Sequence, residues 1–321
     1  MTNSQKLLPY TVVIPIKNGA STLSYTLSSL AKQTLKPKRI IIIDDNSNDN
    51  SLDIVNKLLK KYKLTALIIK NTTSFGLAHN YNLAIKHCQT PILVTIHQDM
   101  ELYSNTLAKL IKPFSSKAVV ASSHLGYYPL STWIKYNIWQ KAYFDRHVGK
   151  YIQGLNGQCD AFLVNKVKQL GGFDDKHFRT AGEDGDIINK LKPLGIVAPS
   201  SAVAIHLHQL DNKFSIASYL HKHRQYGQAQ GTLLIKYGLL SLSHFIYTFF
   251  REIMFLCLFT PIINVIAILT IVCFCFMYTR HTFVYEFRNP KIIFLPIVNF
   301  ASLVASTIGT IEGIVYQRQT M

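Results

Sequence analysis

The sequence predicts an α/β domain with a largely parallel sheet, followed by a helical membrane region. Three observations predict it. The first hundred residues alternate short β-branched runs with amphipathic helical stretches, as βαβ units do. Two of those runs end in polar, acid-bearing clusters, and after about Phe245 the chain turns strongly apolar.

Taken in order, Tyr10–Ile16 reads as the first strand, and Ser21 is placed to cap a helix carrying Leu23, Leu27 and Leu30 on one face. Arg39-Ile-Ile-Ile-Ile43 is apolar enough to be buried on both sides and runs into Asp44 and Asp45. Leu52, Val55, Leu59 and Tyr62 recur at helical spacing, then come a strand near Leu64–Ile69, a helix around Ala78–His87 and a strand Ile92–Ile96. That last strand also ends in a polar cluster, His97-Gln98-Asp99. Open α/β sheets place ligands at the carboxyl ends of parallel strands, so two such clusters separated by a crossover mark a binding edge.

A chain of 321 residues can bury one substantial core and keep a smaller appendage. The formal charge of +17 calls for an anionic partner, either a phosphorylated substrate or an acidic membrane leaflet. The basic residues are scattered rather than run together, which argues against nucleic acid as a partner. Five cysteines form no CxxC pair and suit a reduced cytoplasmic setting, and the N-terminus lacks the apolar core of a signal peptide.

The expected organisation is a catalytic domain over residues 1–230 and a membrane-associated helical region over 231–321. Trp133–Gly157 mixes aromatics and cations without a period, so it reads equally as an acceptor- or membrane-facing segment or as core plus surface. Ile253–Met277 and Ile292–Ile311 are long uncharged stretches, expected as two transmembrane segments anchoring the chain as a hairpin. Arg280, Arg288 and Lys291 in the intervening loop leave an interfacial or re-entrant arrangement open. Pro261 and Pro296 fall inside the two stretches, and Gly309-Thr-Ile-Glu-Gly313 permits close helix contact.

At the first acidic turn, one carboxylate can accept hydrogen bonds from a ligand's imide or ribose hydroxyl, while Asp45 or Asp49 can cap the following helix. Downstream, Ala181-Gly-Glu183-Asp184-Gly-Asp186 opens a helical stretch, where a carboxylate can act as a base or simply favour the helix N-terminus. His206 and His208 share a side of their segment if it is extended.

Val12-Val-Ile-Pro-Ile-Lys-Asn18, the Asp44-Asp45-Asn-Ser47 turn and the later Asp99 together resemble family 2 glycosyltransferases of the GT-A fold, over roughly residues 10 to 230. The resemblance is to the bacterial surface-polysaccharide or lipid-linked glycan type with C-terminal membrane segments. It implies a nucleoside-diphosphate-sugar donor whose base meets Asp44, with Pro15 and Asn18 lining the same pocket. His97-Gln98-Asp99 stands where the family shows Asp-x-Asp, so Asp99 would hold Mg²⁺ or Mn²⁺ against the diphosphate, with His97 and Gln98 beside the donor. Phe75-Gly-Leu-Ala-His79-Asn80 stands where the family often reads Ala-Arg-Asn, which places Asn80 at the donor and replaces an arginine by His79. The Glu-Asp pair of the family lies beside the acceptor, giving Asp184 the base and Glu183 a supporting role. One of His206 and His208 would complete the metal site, His206 by preference.

The Gln-x-x-Arg-Trp motif of processive synthases does not occur after Asp184, which favours single addition. Lys222, His223 and Arg224 lie in that region, either contacting an acceptor pyrophosphate or anionic lipid or forming a solvated helix face. The expected activity is inverting, metal-dependent sugar transfer to a lipid-linked or cell-surface glycan acceptor at the cytoplasmic face of the inner membrane. A polyprenyl-phosphate sugar transferase and a catalytically silent membrane scaffold are the alternatives.

Overall fold

The computed structural model describes residues 7–179, 181–238 and 242–317. In chain order, β1 (Tyr10–Ile16), α1 (Leu23–Ala31), β2 (Arg39–Asp44), α2 (Ser51–Tyr62), β3 (Ala66–Lys70), α3 (Leu77–His87) and β4 (Ile92–Ile96) come first. Next are β5 (Met100–Leu102), α4 (Thr106–Ile111), β6 (Val119–Tyr127), α5 (Leu130–Trp133) and α6 (Ile138–Phe144). Then follow β7 (Tyr151–Gln153), β8 (Cys159–Leu163), α7 (Val164–Gln169), α8 (Glu183–Leu191) and β9 (Ile196–His206). The remainder is helical: α9 (Ile216–Tyr237), α10 (Leu242–Thr248), α11 (Phe250–Cys257), α12 (Ile263–Met277), α13 (Arg280–Tyr285) and α14 (Leu295–Tyr316).

Two compact units divide the chain at Asp211, and Leu130–Val148 belongs with the later unit. The first unit carries a mixed sheet of nine strands in the order β3-β2-β1-β4-β8-β6-β9-β5, with β7 paired to β6. Its first four members are mutually parallel. Because side chains alternate along a strand, Val12, Ile14, Ile16, Ile40 and Ile42 enter one apolar core with Leu23, Leu27 and Leu30 of α1 and Val55 of α2. Val13, Ile41, Ile43 and Leu93 enter a second, with Tyr81 and Ile85 of α3 and Ile187 and Leu191 of α8. Each such side chain contributes on the order of 1.5–3 kcal/mol on burial.

Parallel register brings the two acidic clusters to one edge. Ile16 pairs with Asp44, and β4 lies on the other side of β1. The long β9 then pairs antiparallel with β5, setting His206 opposite Met100, the neighbour of Asp99.

Local chemistry corrects two expectations. Ser21 does not cap α1: Thr22 holds the cap position, its hydroxyl donating to Gly19 C=O rather than capping the helix, and Ser21 Oγ accepts from Leu210 N–H at 3.4 Å. The third strand begins at Ala66 rather than Leu64, because Lys63 takes φ +53° and Leu64 N–H returns to Leu59 C=O at 2.9 Å, closing α2 with a left-handed cap.

In the second unit the aromatic segment is mainly core: Trp133, Tyr136, Tyr143 and Phe144 are buried, and Trp133 Nε1 donates to Lys141 C=O at 3.0 Å. The expected span 253–277 is not one helix. It breaks between α11 and α12 at Pro261 and Ile262, the latter at φ +70°, leaving a helix of 15 residues, about 22 Å long and short of a hydrocarbon core of about 30 Å. Leu256, Phe259 and Ile262 are exposed at this break, an apolar tip. Pro296 lies in the first turn of α14, where a missing N–H costs little. Among the described residues one helical stretch, Pro290–Tyr316, is long and apolar enough to cross a membrane, so the two-span hairpin gives way to a single spanning-length element.

That helix is gripped by α9. Gly309 and Gly313 of α14 face Gly227 and Gly231 of α9 so closely that a Cβ on Gly309 would stand 2.1 Å from Arg224 C=O, and one on Gly227 2.1 Å from Ser306 C=O. Arg224 and Gln228 both bond to Glu312, and Tyr219 O–H donates to Asn299 at 2.9 Å.

Candidate active site

Asp44 ends β2 fully buried. One carboxylate oxygen accepts Ser47 N–H at 3.1 Å, and the other is buried without a hydrogen-bond partner. Leaving such an acceptor unpaired costs about 1–3 kcal/mol, a cost that a donor on a ligand removes. The surrounding turn is held in place by its neighbours. Lys17 Nζ donates to the carbonyls of Asp45 and Asn46 at 3.0 and 2.8 Å, and Asn18 exchanges bonds with Ser47 and Asn48. Pro15 is buried in β1 opposite Ile43.

Asp45 does something other than cap α2. It accepts from Asn71, Ser74 and the N–H groups of Phe75 and Gly76 at 2.7–3.0 Å, tying the loop before α3 to β2. Burial alone would raise its pKa, yet these donors hold it below the usual range. Asn80 is buried and accepts from the same Asn71, at 2.8 Å, so it belongs to this network. Gln98 bridges Lys17 N–H and C=O at 2.8 and 2.9 Å, fixing the end of β1. His79 meets Asp175 at 3.1 Å and stacks on Phe75.

His97, Asp99 and His206 bring their ligand atoms within 4.8 Å of one another. His206 Nε2 lies 3.0 Å from Asp99 Oδ2, and its ring sits 3.7 Å from that of His208, tilted by 42°, while His208 in turn stacks on Tyr128 at 5.9 Å. Burial would raise Asp99, but His206, then His97 and His208, hold its pKa well below the carboxylate range. Burial pushes His97 down to about 4, keeping it a neutral imidazole. An ionised carboxylate with a neutral imidazole fits a divalent cation, and the nitrogen-rich set suits Mn²⁺ better than Mg²⁺.

Glu183 and Asp184 open α8. Burial raises both, and each is raised further by a neighbouring carboxylate: Asp184 acts on Glu183, and Asp160 on Asp184. A Cβ on Gly157 would stand 3.1 Å from Glu183 Oε1, 3.8 Å from His97 Nε2 and 4.0 Å from Asp184 Cβ, so the acid pair and the metal-type cluster meet across one glycine. Tyr81 joins them, its hydroxyl donating to Gly157 C=O at 3.1 Å and lying 3.1 Å from His97 Nε2. Asp186 turns away and pairs with Lys190 at 2.7 Å.

Sequence reasoning missed Tyr81, Gly157 and the fully buried Asp160–His124 pair, 3.3 Å apart. Asp160 lies in a plain apolar strand, Cys-Asp-Ala-Phe-Leu, and only a buried acid there signals a polar task.

Residues 11–169 match the family described as Glycosyl transferase family 2. A poly(ribitol-phosphate) beta-glucosyltransferase of Bacillus spizizenii is 36% identical over 101 residues, 30% of this chain and 16% of that protein. A cholesterol galactosyltransferase of Borreliella burgdorferi is 31% identical over 99 residues, 31% of this chain and 27% of that protein. The matched part thus spans less than a third of the length of either relative. Among solved structures, a mannosyltransferase from Pyrobaculum calidifontis in complex with GDP-Man and Mn²⁺ superposes with a TM-score of 0.60 at 16% identity, covering 96% of this chain and 88% of that one. Glucosyl-3-phosphoglycerate synthase from Mycobacterium tuberculosis superposes at 0.50 with 14% identity, covering 73% and 82%. This match places residues 11–169 in the family 2 glycosyltransferases, and the chain has the GT-A fold.

Proposed function

We propose that the protein is an inverting, divalent-metal-dependent transferase that moves a sugar from a nucleoside-diphosphate-sugar to a hydroxyl of a lipid-linked or cell-surface glycan at the cytoplasmic face of the membrane. The observation that carries this reading is the meeting of the Glu183–Asp184 pair with the His97–Asp99–His206 cluster across Gly157. The buried, unpaired oxygen of Asp44 supports a donor base or ribose hydroxyl as its partner, and the two similar structures were solved with GDP-Man or UDP together with Mn²⁺.

Asp99, His97 and His206 would hold the cation, which when bound offsets the charge of the diphosphate. Pro15, Asn18 and Gln98 shape the donor edge around Asp44, with Asn80 acting through the Asp45 network. Asp184, with its raised pKa, accepts the proton of the acceptor hydroxyl while that oxygen bonds to the anomeric carbon and the bond to the diphosphate breaks. Glu183 beside it holds its own proton more tightly, through burial and the charge of Asp184, and so takes a supporting place. A screen of nucleotide-sugars for Mn²⁺-dependent transfer or hydrolysis by membranes carrying the protein tests this, with Asp99→Ala as control. Equal turnover by that variant, or none with any donor, would sink the reading.

A further inference from the structure

The basic stretch Lys222-His223-Arg224 separates on folding. Arg224 is exposed and pairs with Glu312, whereas His223 turns inward to 6% exposure, with Nε2 buried and lacking a hydrogen-bond partner. Its ring is walled by Tyr219, Tyr143 and Tyr278, with centroids at 4.8, 5.4 and 6.0 Å.

Arg146 reaches the same place, its guanidinium carbon 5.7 Å from the Tyr278 ring centroid. It is exposed and has no ion pair among the described residues, because the adjacent Asp145 is turned to Thr282 and His281, accepting from them at 2.6–2.9 Å. Arg251, held by Gln230 at 2.8 Å and loosely by Glu252 at 4.0 Å, adds a second positive charge beside His223. Burial, together with Arg146 and Arg251, keeps the imidazole uncharged, down at about 3. The result is a cluster of two guanidiniums and three tyrosines around an unpaired imidazole nitrogen, with Arg146 on its exposed side.

An arginine fork with auxiliary neutral donors is the usual means of holding a phosphate. Tyr278 directly follows α12 and packs on Phe274 at 4.7 Å, and an apolar groove runs from Phe274 and Met277 along that helix to Ile266. We propose that Arg146, His223 and Arg251, with Tyr143 and Tyr278, bind the phosphate of a membrane lipid whose hydrocarbon chain lies along α12. This rests on the lipid-linked acceptor of the proposed function and supplies that acceptor's anchoring chemistry.

The test uses the full chain in detergent and farnesyl phosphate as probe, read by calorimetry. Farnesyl phosphate is expected to bind, farnesol to bind much more weakly, and Arg146→Gln and His223→Phe each to weaken farnesyl phosphate on the order of ten-fold or more. Arg146 is exposed, so its variant should fold even if the buried His223→Phe does not. Equal binding of farnesol, unchanged binding by Arg146→Gln, or competition by inorganic pyrophosphate at the same concentration as farnesyl phosphate would overturn the proposal, the last by identifying a soluble phosphate as the ligand. UDP and GDP with Mn²⁺ are titrated in parallel. Loss of farnesyl phosphate binding with nucleotide binding intact counts against the lipid site alone. Farnesyl phosphate binding without nucleotide binding supports the lipid site and counts against the sugar-transfer reading.

Discussion

Asp160 accepts the backbone N–H of Gly157 at 2.8 Å, and through that bond a buried acid in β8 fixes the glycine around which the candidate active site is built. The same carboxylate oxygen accepts Asn156 N–H at 3.0 Å, while the other lies 3.3 Å from His124 Nδ1. Asp160→Asn replaces one acceptor oxygen with an N–H₂ that either opposes the two amides or faces the imidazole. Transfer should fall about 10- to 100-fold with a stability loss of about 1–3 kcal/mol, and Mn²⁺–nucleotide binding should change little. Initial rates, thermal melts and nucleotide titrations check these together; wild-type turnover would show that the loop needs no such tether.

Removing Asp99 takes away the only carboxylate of the cluster and leaves two imidazoles. Asp99→Ala should abolish Mn²⁺ dependence and reduce transfer by about 100-fold or more. In the wild type Mn²⁺ should support faster transfer than Mg²⁺, given two nitrogen donors against one oxygen. Manganese paramagnetic resonance and metal titrations of the rate are the measurements, and equal rates with both metals would remove the nitrogens from the coordination argument.

A base must be deprotonated to act, so transfer should rise with pH through the raised pKa of the acid pair and level off above it. Asp184→Asn should lower the rate about 10²- to 10⁴-fold and remove that limb, whereas Glu183→Gln should leave the limb in place, because burial and Asp160 rather than Glu183 raise Asp184. Rate profiles of the three proteins decide this.

The same pair has an opposite effect on folding. Carboxyls with raised folded-state pKa values bind protons more tightly when native, so their contribution is present in acid and lost as pH rises through the raised values. Glu183→Gln should therefore stabilise the protein most at neutral pH and above, seen as a melting temperature that falls less with pH than that of the wild type.

Gly309→Leu places a side chain where even a Cβ meets Arg224 C=O at 2.1 Å. The α9–α14 crossing should open, costing a few kcal/mol and making α9 sensitive to limited proteolysis. Persistence of wild-type protection would mean the two backbones do not need their glycines.

The strands β1, β2 and β4 were legible because their apolar runs are buried on both faces, leaving few alternatives. Asp44 and Asp99 followed, since polar residues at the ends of such strands stand out. The Asp99–His206 contact spans 107 residues and depends on β9 pairing with β5, which no local pattern discloses. Resemblance called for a histidine in this region without deciding between His206 and His208, and the structure puts His206 against Asp99. Asp45 misled because an acid before a helix looks like a cap, while its partners lie across the sheet in the loop at Ser74–Gly76. Composition also concealed the break at Pro261 and Ile262, because hydropathy averages over backbone conformation.

The crossing of α9 and α14 limits how this protein can be trimmed for handling. Cutting away the apolar C-terminus, the ordinary route to a soluble catalytic fragment, would strip α9 of the surface that covers Tyr219, Gln228 and Thr232, all now buried. A shortened chain would trade one greasy helix for an exposed seam of glycines and unsatisfied polar groups. Detergent or lipid is therefore a requirement of α9 as much as of α14.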